Sequence, residues 1–211
     1  MAQRNFTLAF ANAKGGSGKS TLACCLAAEL SHRGRQVTLI DADPQGGMSA
    51  WHAAGGPLKD LPIIADTSQR VNATAREAAA SSTVVIDAAG FATSTLVAVL
   101  EAADIVLIPC RPSALDAMRA IETARMATEV ARARRKRVPV LIVLNAVTHA
   151  AIVPHIRAEL EAAGVKVAAT EIGQRTAFAV AALNGTAPCW MGSAAEKAAG
   201  EVSALADELD L

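Results

Sequence analysis

The stretch that most constrains this chain is Phe6 to Thr21, FTLAFANAKGGSGKST. Phe6 to Ala11 is an apolar run broken only by Thr7, which predicts a buried strand. Glycines at 15, 16 and 18 follow, and then Leu22, Cys25, Leu26 and Leu30 recur at helical spacing. Strand, glycine-rich loop and helix start is the order of a phosphate-binding loop. Glycine lets successive backbone N–H groups turn inward with no Cβ in the way. Those amides and the positive end of the helix together make an anion site. The cradle expected here is Gly15, Gly16, Ser17, Gly18, Lys19, Ser20 and Thr21. Lys19 would reach the β- and γ-phosphates of a nucleotide, and the Ser20 hydroxyl would ligate Mg²⁺.

The usual pattern has a glycine five residues before Gly18, but position 13 is Ala, and the loop opens instead on a second lysine, Lys14. A lysine there does not easily reach phosphates held by its own loop, which leaves it available to a neighbouring subunit. This KGGSGKS form resembles the deviant Walker A loop of the ParA/MinD family of dimerising ATPases. The resemblance extends to the segment DADPQ after the short apolar run Val37 to Ile40. Asp41 and Asp43 lie where open parallel sheets carry their chemistry. The resemblance implies that Asp43 positions or activates the attacking water, while Asp41 supports Mg²⁺ or the loop lysine.

Further along, SSTVVIDAAG is an apolar strand ending in Asp87, the arrangement that holds Mg²⁺ through a water. The family commonly has two prolines next; here they are Ala88 and Ala89, and Gly90 is kept. Ile105 to Ile108 predicts another buried strand. PCRPSALD then leads into a helix expected over 113–133, and this block also resembles the family. That helix ends in Arg132, Arg134, Arg135, Lys136 and Arg137. Such a run contacts several phosphates of a nucleic acid at once. It equally complements a helix dipole at a solvated C-terminus, and the sequence leaves both readings open. Val140 to Leu144 predicts a strand ending in Asn145, which by resemblance reads the base; no Asp follows to accept from a guanine amino group, so ATP is expected rather than GTP. A plain strand-to-helix turn is the other account of that Asn.

The remaining elements expected are helices over 20–33, 49–54, 71–81, 93–103, 154–163 and 193–209, and strands over 63–65 and 165–169. Alternating strands and helices give one doubly wound, mostly parallel α/β sheet flanked by helices, a phosphate-loop NTPase fold read as a single domain over 1–211. The 211 residues suit one such domain.

Formal net charge is zero, so polyanion binding must come from a local patch. Aromatics are only 3%, which argues against stacking bases on aromatic platforms. The four cysteines show no metal-like spacing and read as small buried hydrophobes. MAQRNF opens straight into a strand with no signal peptide, and no apolar run reaches membrane-span length. The C-terminal helix carries Glu196, Glu201, Asp207, Glu208 and Asp210, an acidic face unsuited to anionic lipid.

By resemblance to small ParA-type partition proteins, the expectation is a cytoplasmic, nucleoid-associated ATPase using ATP and Mg²⁺. ATP would join two copies face to face through Lys14, the dimer would bind DNA non-specifically, and slow hydrolysis, stimulated by a ParB-like partner, would reset it. The alternative is an ATPase of the same kind that positions a non-DNA cargo or acts as a MinD-like regulator.

Overall fold

A computed structural model describes residues 4–90 and 94–211. Seven strands form one sheet: β1 (Thr7–Phe10), β2 (Val37–Ala42), β3 (Ile63–Ala65), β4 (Thr83–Ala88), β5 (Ile105–Cys110), β6 (Val140–Leu144) and β7 (Lys166–Val167). Their order is β3-β2-β4-β1-β5-β6-β7, and every pairing among the described residues is parallel. Parallel neighbours require crossovers, and the helices supply them. These are α1 (Lys19–His32), α2 (Gly47–Ala53), α3 (Val71–Ala79), α4 (Ser94–Ala102), α5 (Ala114–Ala133), α6 (Val153–Ala162), α7 (Thr176–Leu183) and α8 (Glu196–Glu208). The sequence expectation began α4 at Thr93, which lies outside the described residues.

Successive side chains on each strand go to opposite faces, and the core divides accordingly. Leu8, Phe10, Leu39, Val85 and Leu107 pack with α1, α7 and α8. Ala9, Ala11, Ile40, Val84, Ile86, Val106 and Ile108 pack with α3, α4, α5 and α6. Both faces are covered, which is why β1, β2 and β4 read as continuous apolar runs rather than alternating ones.

Two details depart from the sequence reading. The irregular stretch after Pro44 folds earlier than expected, as α2 from Gly47, because Asp41 on β2 accepts from both the Ser49 N–H at 2.8 Å and the Ser49 hydroxyl at 2.6 Å. The acidic residues of α8 are also not a free face. Glu208 accepts the N–H groups of Ala169 and Thr170, Glu201 binds Arg175 and the Gly173 N–H, and Asp207 pairs with Arg33. Carboxylates that could not be assigned partners from sequence pin loop 169–175 and α1.

Candidate nucleotide site

The order β4-β1-β5 at the centre of the sheet decides what meets at its C-terminal edge. β1 delivers the glycine loop, β4 delivers Asp87, β2 one place further delivers Asp41 and Asp43, and β5 delivers the Pro109–Ser113 turn. The register sets Asp41 directly beside Asp87. An open cavity of about 540 Å³ lies here, lined by Gly15, Gly16, Gly18, Lys19, Ser20, Thr21, Asp43, Pro44, Gln45, Ala89, Gly90 and Arg111.

The loop is braced from three sides. Asn12 donates to the Pro109 carbonyl at 2.7 Å and accepts the Lys14 N–H at 2.8 Å. The Ala13 N–H donates to the Thr123 hydroxyl on α5 at 3.1 Å. Asn145, from the end of β6, donates through Nδ2 to the Ser17 carbonyl at 2.7 Å. Gly18, the N-cap of α1, has φ +94°, and a Cβ there would lie 2.1 Å from Asn145 Nδ2. Glycine at 18 therefore serves both the left-handed turn and the approach of the Asn145 amide. Asn145 is buried, and this tie to the loop is its observed contact.

Charge is arranged unevenly across the site. Lys19 is buried and forms no ion pair among the described residues, so its ammonium is available to a phosphate. Lys14 is already engaged: Nζ sits 2.7 Å from Asp116 Oδ2 on the first turn of α5. Ser113, the N-cap of α5, donates its hydroxyl to the same Asp116 oxygen and accepts the Asp116 N–H at 3.2 Å. Lys14 is therefore not the unattached lysine that its place in the loop suggested, because the crossover after β5 puts a capping carboxylate beside it.

The three carboxylates differ in how well they are satisfied. Asp41 accepts from Ser49 twice and from the Asp43 N–H at 3.2 Å. Asp43 accepts the Gln45 N–H at 2.9 Å and faces the cavity. Asp87 is fully buried, and neither of its oxygens has a hydrogen-bond partner. Burial pushes its pKa up to about 7; the Ser20 hydroxyl and the Lys19 ammonium nearby oppose that rise, and Asp41 and Asp43 add to it. A buried carboxylate with two orphaned oxygens costs free energy unless something cationic satisfies it. That is a fit for Mg²⁺, which binds through one or two protein oxygens and completes its shell with phosphate and water. Gly47 stands close by, with a Cβ at that position reaching 2.8 Å from Ser20 Oγ.

Sequence reading placed Lys14, the loop, Asp41, Asp43, Asp87 and Asn145, and all of them line or brace this one edge. Arg132 to Arg137 do not: they lie at the other end of α5, roughly 30 Å away at 1.5 Å per residue. The reading missed Asp116, although Ser113-x-x-Asp116 is a helix-capping spacing. It also missed Arg111, an exposed side chain in the proline-bounded turn after β5 that lines the cavity.

A parallel α/β sheet with a glycine loop, a buried lysine and an orphaned carboxylate at one edge defines a phosphate-loop nucleotide-binding protein. Residues 8–188 match the CobQ/CobB/MinD/ParA nucleotide binding domain, and the chain belongs to this family. It is 32% identical to Protein ParA of Rhizobium radiobacter over 174 residues, covering 80% of this chain and 78% of that one. It is 30% identical to maintenance of carboxysome distribution protein A of Halothiobacillus neapolitanus over 213 residues, covering 99% and 98%. In three dimensions it resembles a Cyanothece McdA variant in complex with ATP, with TM-score 0.78, 16% identity and coverage of 100% and 98%. No helix among the described residues is long and apolar enough to cross a membrane.

Proposed function

We propose that this protein is a slow, Mg²⁺-dependent ATPase whose ATP-bound form is a face-to-face homodimer that binds DNA non-specifically and separates on hydrolysis. The observation that carries the reading is the division of labour between the two loop lysines. Lys19 is buried in the cradle with no counter-ion among the described residues, whereas Lys14 is held outside it by Asp116. A phosphate group in the cradle engages Lys19, the loop N–H groups and Ser20 within one chain. Lys14, once it leaves Asp116, is placed to reach phosphates held by an opposing copy.

Mg²⁺, when bound, neutralises charge developing on the transferred phosphate. Asp87 and Ser20 are the residues that would hold it. Asp41, suggested by resemblance as a support for Mg²⁺ or the loop lysine, accepts three hydrogen bonds from Ser49 and Asp43 and so fixes the turn that sets Asp43 at the cavity. Asp43 orients the attacking water. Asn145 holds the loop in place and, on the nucleotide side, bounds the adenine. The basic run Arg132 to Arg137, all exposed, supplies DNA contacts. A relative named as a chromosome partitioning protein, 57% identical over 48 residues, favours a DNA cargo, and a ParB-like partner would stimulate turnover. A second reading, in which the same switch distributes a protein cargo over the nucleoid, is favoured by the relative named for carboxysome distribution, matched along nearly its whole length. Either role places the protein in the cytoplasm.

Sedimentation of the wild type and Lys14→Ala with ADP, ATP and a slowly hydrolysed ATP analogue tests the switch. The wild type should dimerise with ATP or the analogue alone. The variant should stay monomeric while still binding nucleotide, and a Lys14→Ala dimer would remove the cross-subunit role.

A further inference from the structure

Among the described residues, five helices end in the same way. The N–H of the residue after the cap returns to the carbonyl three back, and the next N–H returns to the carbonyl five back, as in Gly34→Ser31 with Arg35→Leu30. The first of those two residues must take a positive φ. It is Gly34 (+85°) after α1, Gly164 (+77°) after α6 and Gly185 (+58°) after α7. After α8 it is Asp210 (+57°), a residue type that tolerates this region. After α5 it is Arg135, at φ +55°. An arginine there carries a Cβ clash with its backbone that glycine escapes. Nothing in its own contacts offsets that cost, since Arg135 makes no side-chain hydrogen bond or ion pair among the described residues.

A groove of about 360 Å³ lies between α5, the start of β6 and the end of α6, and Arg135 falls in the chain between two of its lining residues, Arg132 and Val138. Arg125 and Arg132, seven residues apart and so on one face of α5, line one wall, and Lys166 at the start of β7 lines the other. The floor is Val138, Pro139 and Val140. Arg125, Arg132, Arg134, Arg135, Arg137 and Lys166 are all exposed, and none is in an ion pair among the described residues. Glu129 is the one acid among the described residues lining the groove, and Asp104 takes Lys136 at 3.4 Å. In a chain of zero net charge, six unneutralised cations at one pole form a local anionic-polymer site.

We infer that this groove, with Arg125, Arg132 and Lys166 as its phosphate contacts and Arg135 kept against its backbone cost in the turn between lining residues Arg132 and Val138, is the track for the sugar–phosphate backbone of duplex DNA. The inference rests on the DNA-binding reading above and extends it to Arg125 and Lys166, which lie outside the basic run. The groove runs along the C-terminal half of α5, starting one residue past Thr123, and ATP strengthens DNA binding by joining two such tracks in one dimer.

The test uses the full-length protein with a slowly hydrolysed ATP analogue and fluorescent non-specific duplex DNA in a salt series. Arg125→Ala/Lys166→Ala should weaken binding roughly ten-fold at fixed salt and reduce the salt slope by about 2, with ATPase turnover in the absence of DNA unchanged. Arg135→Gly should raise the melting temperature and weaken DNA binding together, which a misfolded variant cannot do. Wild-type binding that both variants retain, with its slope intact, would overturn the groove and leave the DNA reading standing elsewhere on the surface. A wild type that binds no duplex with the analogue would overturn both.

Discussion

Asp87 offers the most quantitative check on the site, because burial is the largest influence on its carboxyl and outweighs the opposing Ser20 hydroxyl and Lys19 ammonium. Its pKa rises from an ordinary carboxylate value to about 7, a cost on the order of 4 kcal/mol for holding the ionised form. The native state thus holds a proton more tightly than the unfolded chain. Stability from this group is fully present below about pH 4, where both states are protonated, and is lost as pH rises through 7. Replacing Asp87 by Asn removes the titration but leaves a buried amide short of partners, which costs about 1–3 kcal/mol. The net gain expected at pH 8 is therefore about 1–3 kcal/mol, or roughly 2–12 °C in melting temperature for a chain of this size. At pH 5, where the wild-type carboxyl is already protonated, the gain should vanish or reverse. Thermal unfolding of both proteins in EDTA from pH 5 to 8 reads this directly. The same variant should lose most of the stabilisation that Mg²⁺ with nucleotide gives the wild type at pH 8. A variant no more stable than wild type at pH 8, or stabilised equally at pH 5, would refute the claim that Asp87 is an unsatisfied carboxylate awaiting a cation.

Three further outcomes are expected. Asp43→Ala should bind ATP yet turn it over at least ten-fold more slowly and accumulate as the dimer; normal turnover in a phosphate-release assay would take Asp43 out of the reaction. Gly18→Ala must push the Asn145 amide off Ser17 and hold a β-carbon at φ +94°, so calorimetry should show ATP affinity falling by at least ten-fold, and unchanged affinity would contradict the brace. Arg33→Ala removes contacts to Glu29, Ser203, Asp207 and the Leu211 carbonyl that tie α1 to α8. About 1–2 kcal/mol should be lost in denaturant titrations, with the nucleotide site unaffected.

Much of this site was readable from the chain because its parts are local. The glycine loop, the aspartates at strand ends and the Asn after β6 each announce themselves within a few residues. The parallel sheet follows from apolar runs separated by helix-length segments. What escaped reading depends on strand order. Lys14 and Asp116 are 102 residues apart and meet only because β5 is laid beside β1. Asn145 reaches Ser17 across 128 residues for the same kind of reason. Arg111 enters the cavity only because the turn after β5 borders the loop. The acidic face of α8 looked solvent-bound since its partners, Arg175, Gly173, Ala169 and Thr170, lie on a loop whose position no local pattern sets. The strained Arg135 was hidden too, because a basic helix end reads identically whether its backbone turns left or right.

The basic groove occupies the C-terminal half of α5 and the nucleotide edge borders its first half, and the switch proposed above joins them through assembly. The measurement that tests this most directly is binding of the wild type to non-specific duplex DNA with no nucleotide, ADP, ATP and a slowly hydrolysed analogue, across a salt series. Binding that appears only with ATP or the analogue, and falls steeply with salt, is the predicted result. Equal binding in all four states, or none in any, would contradict a nucleotide-controlled DNA switch.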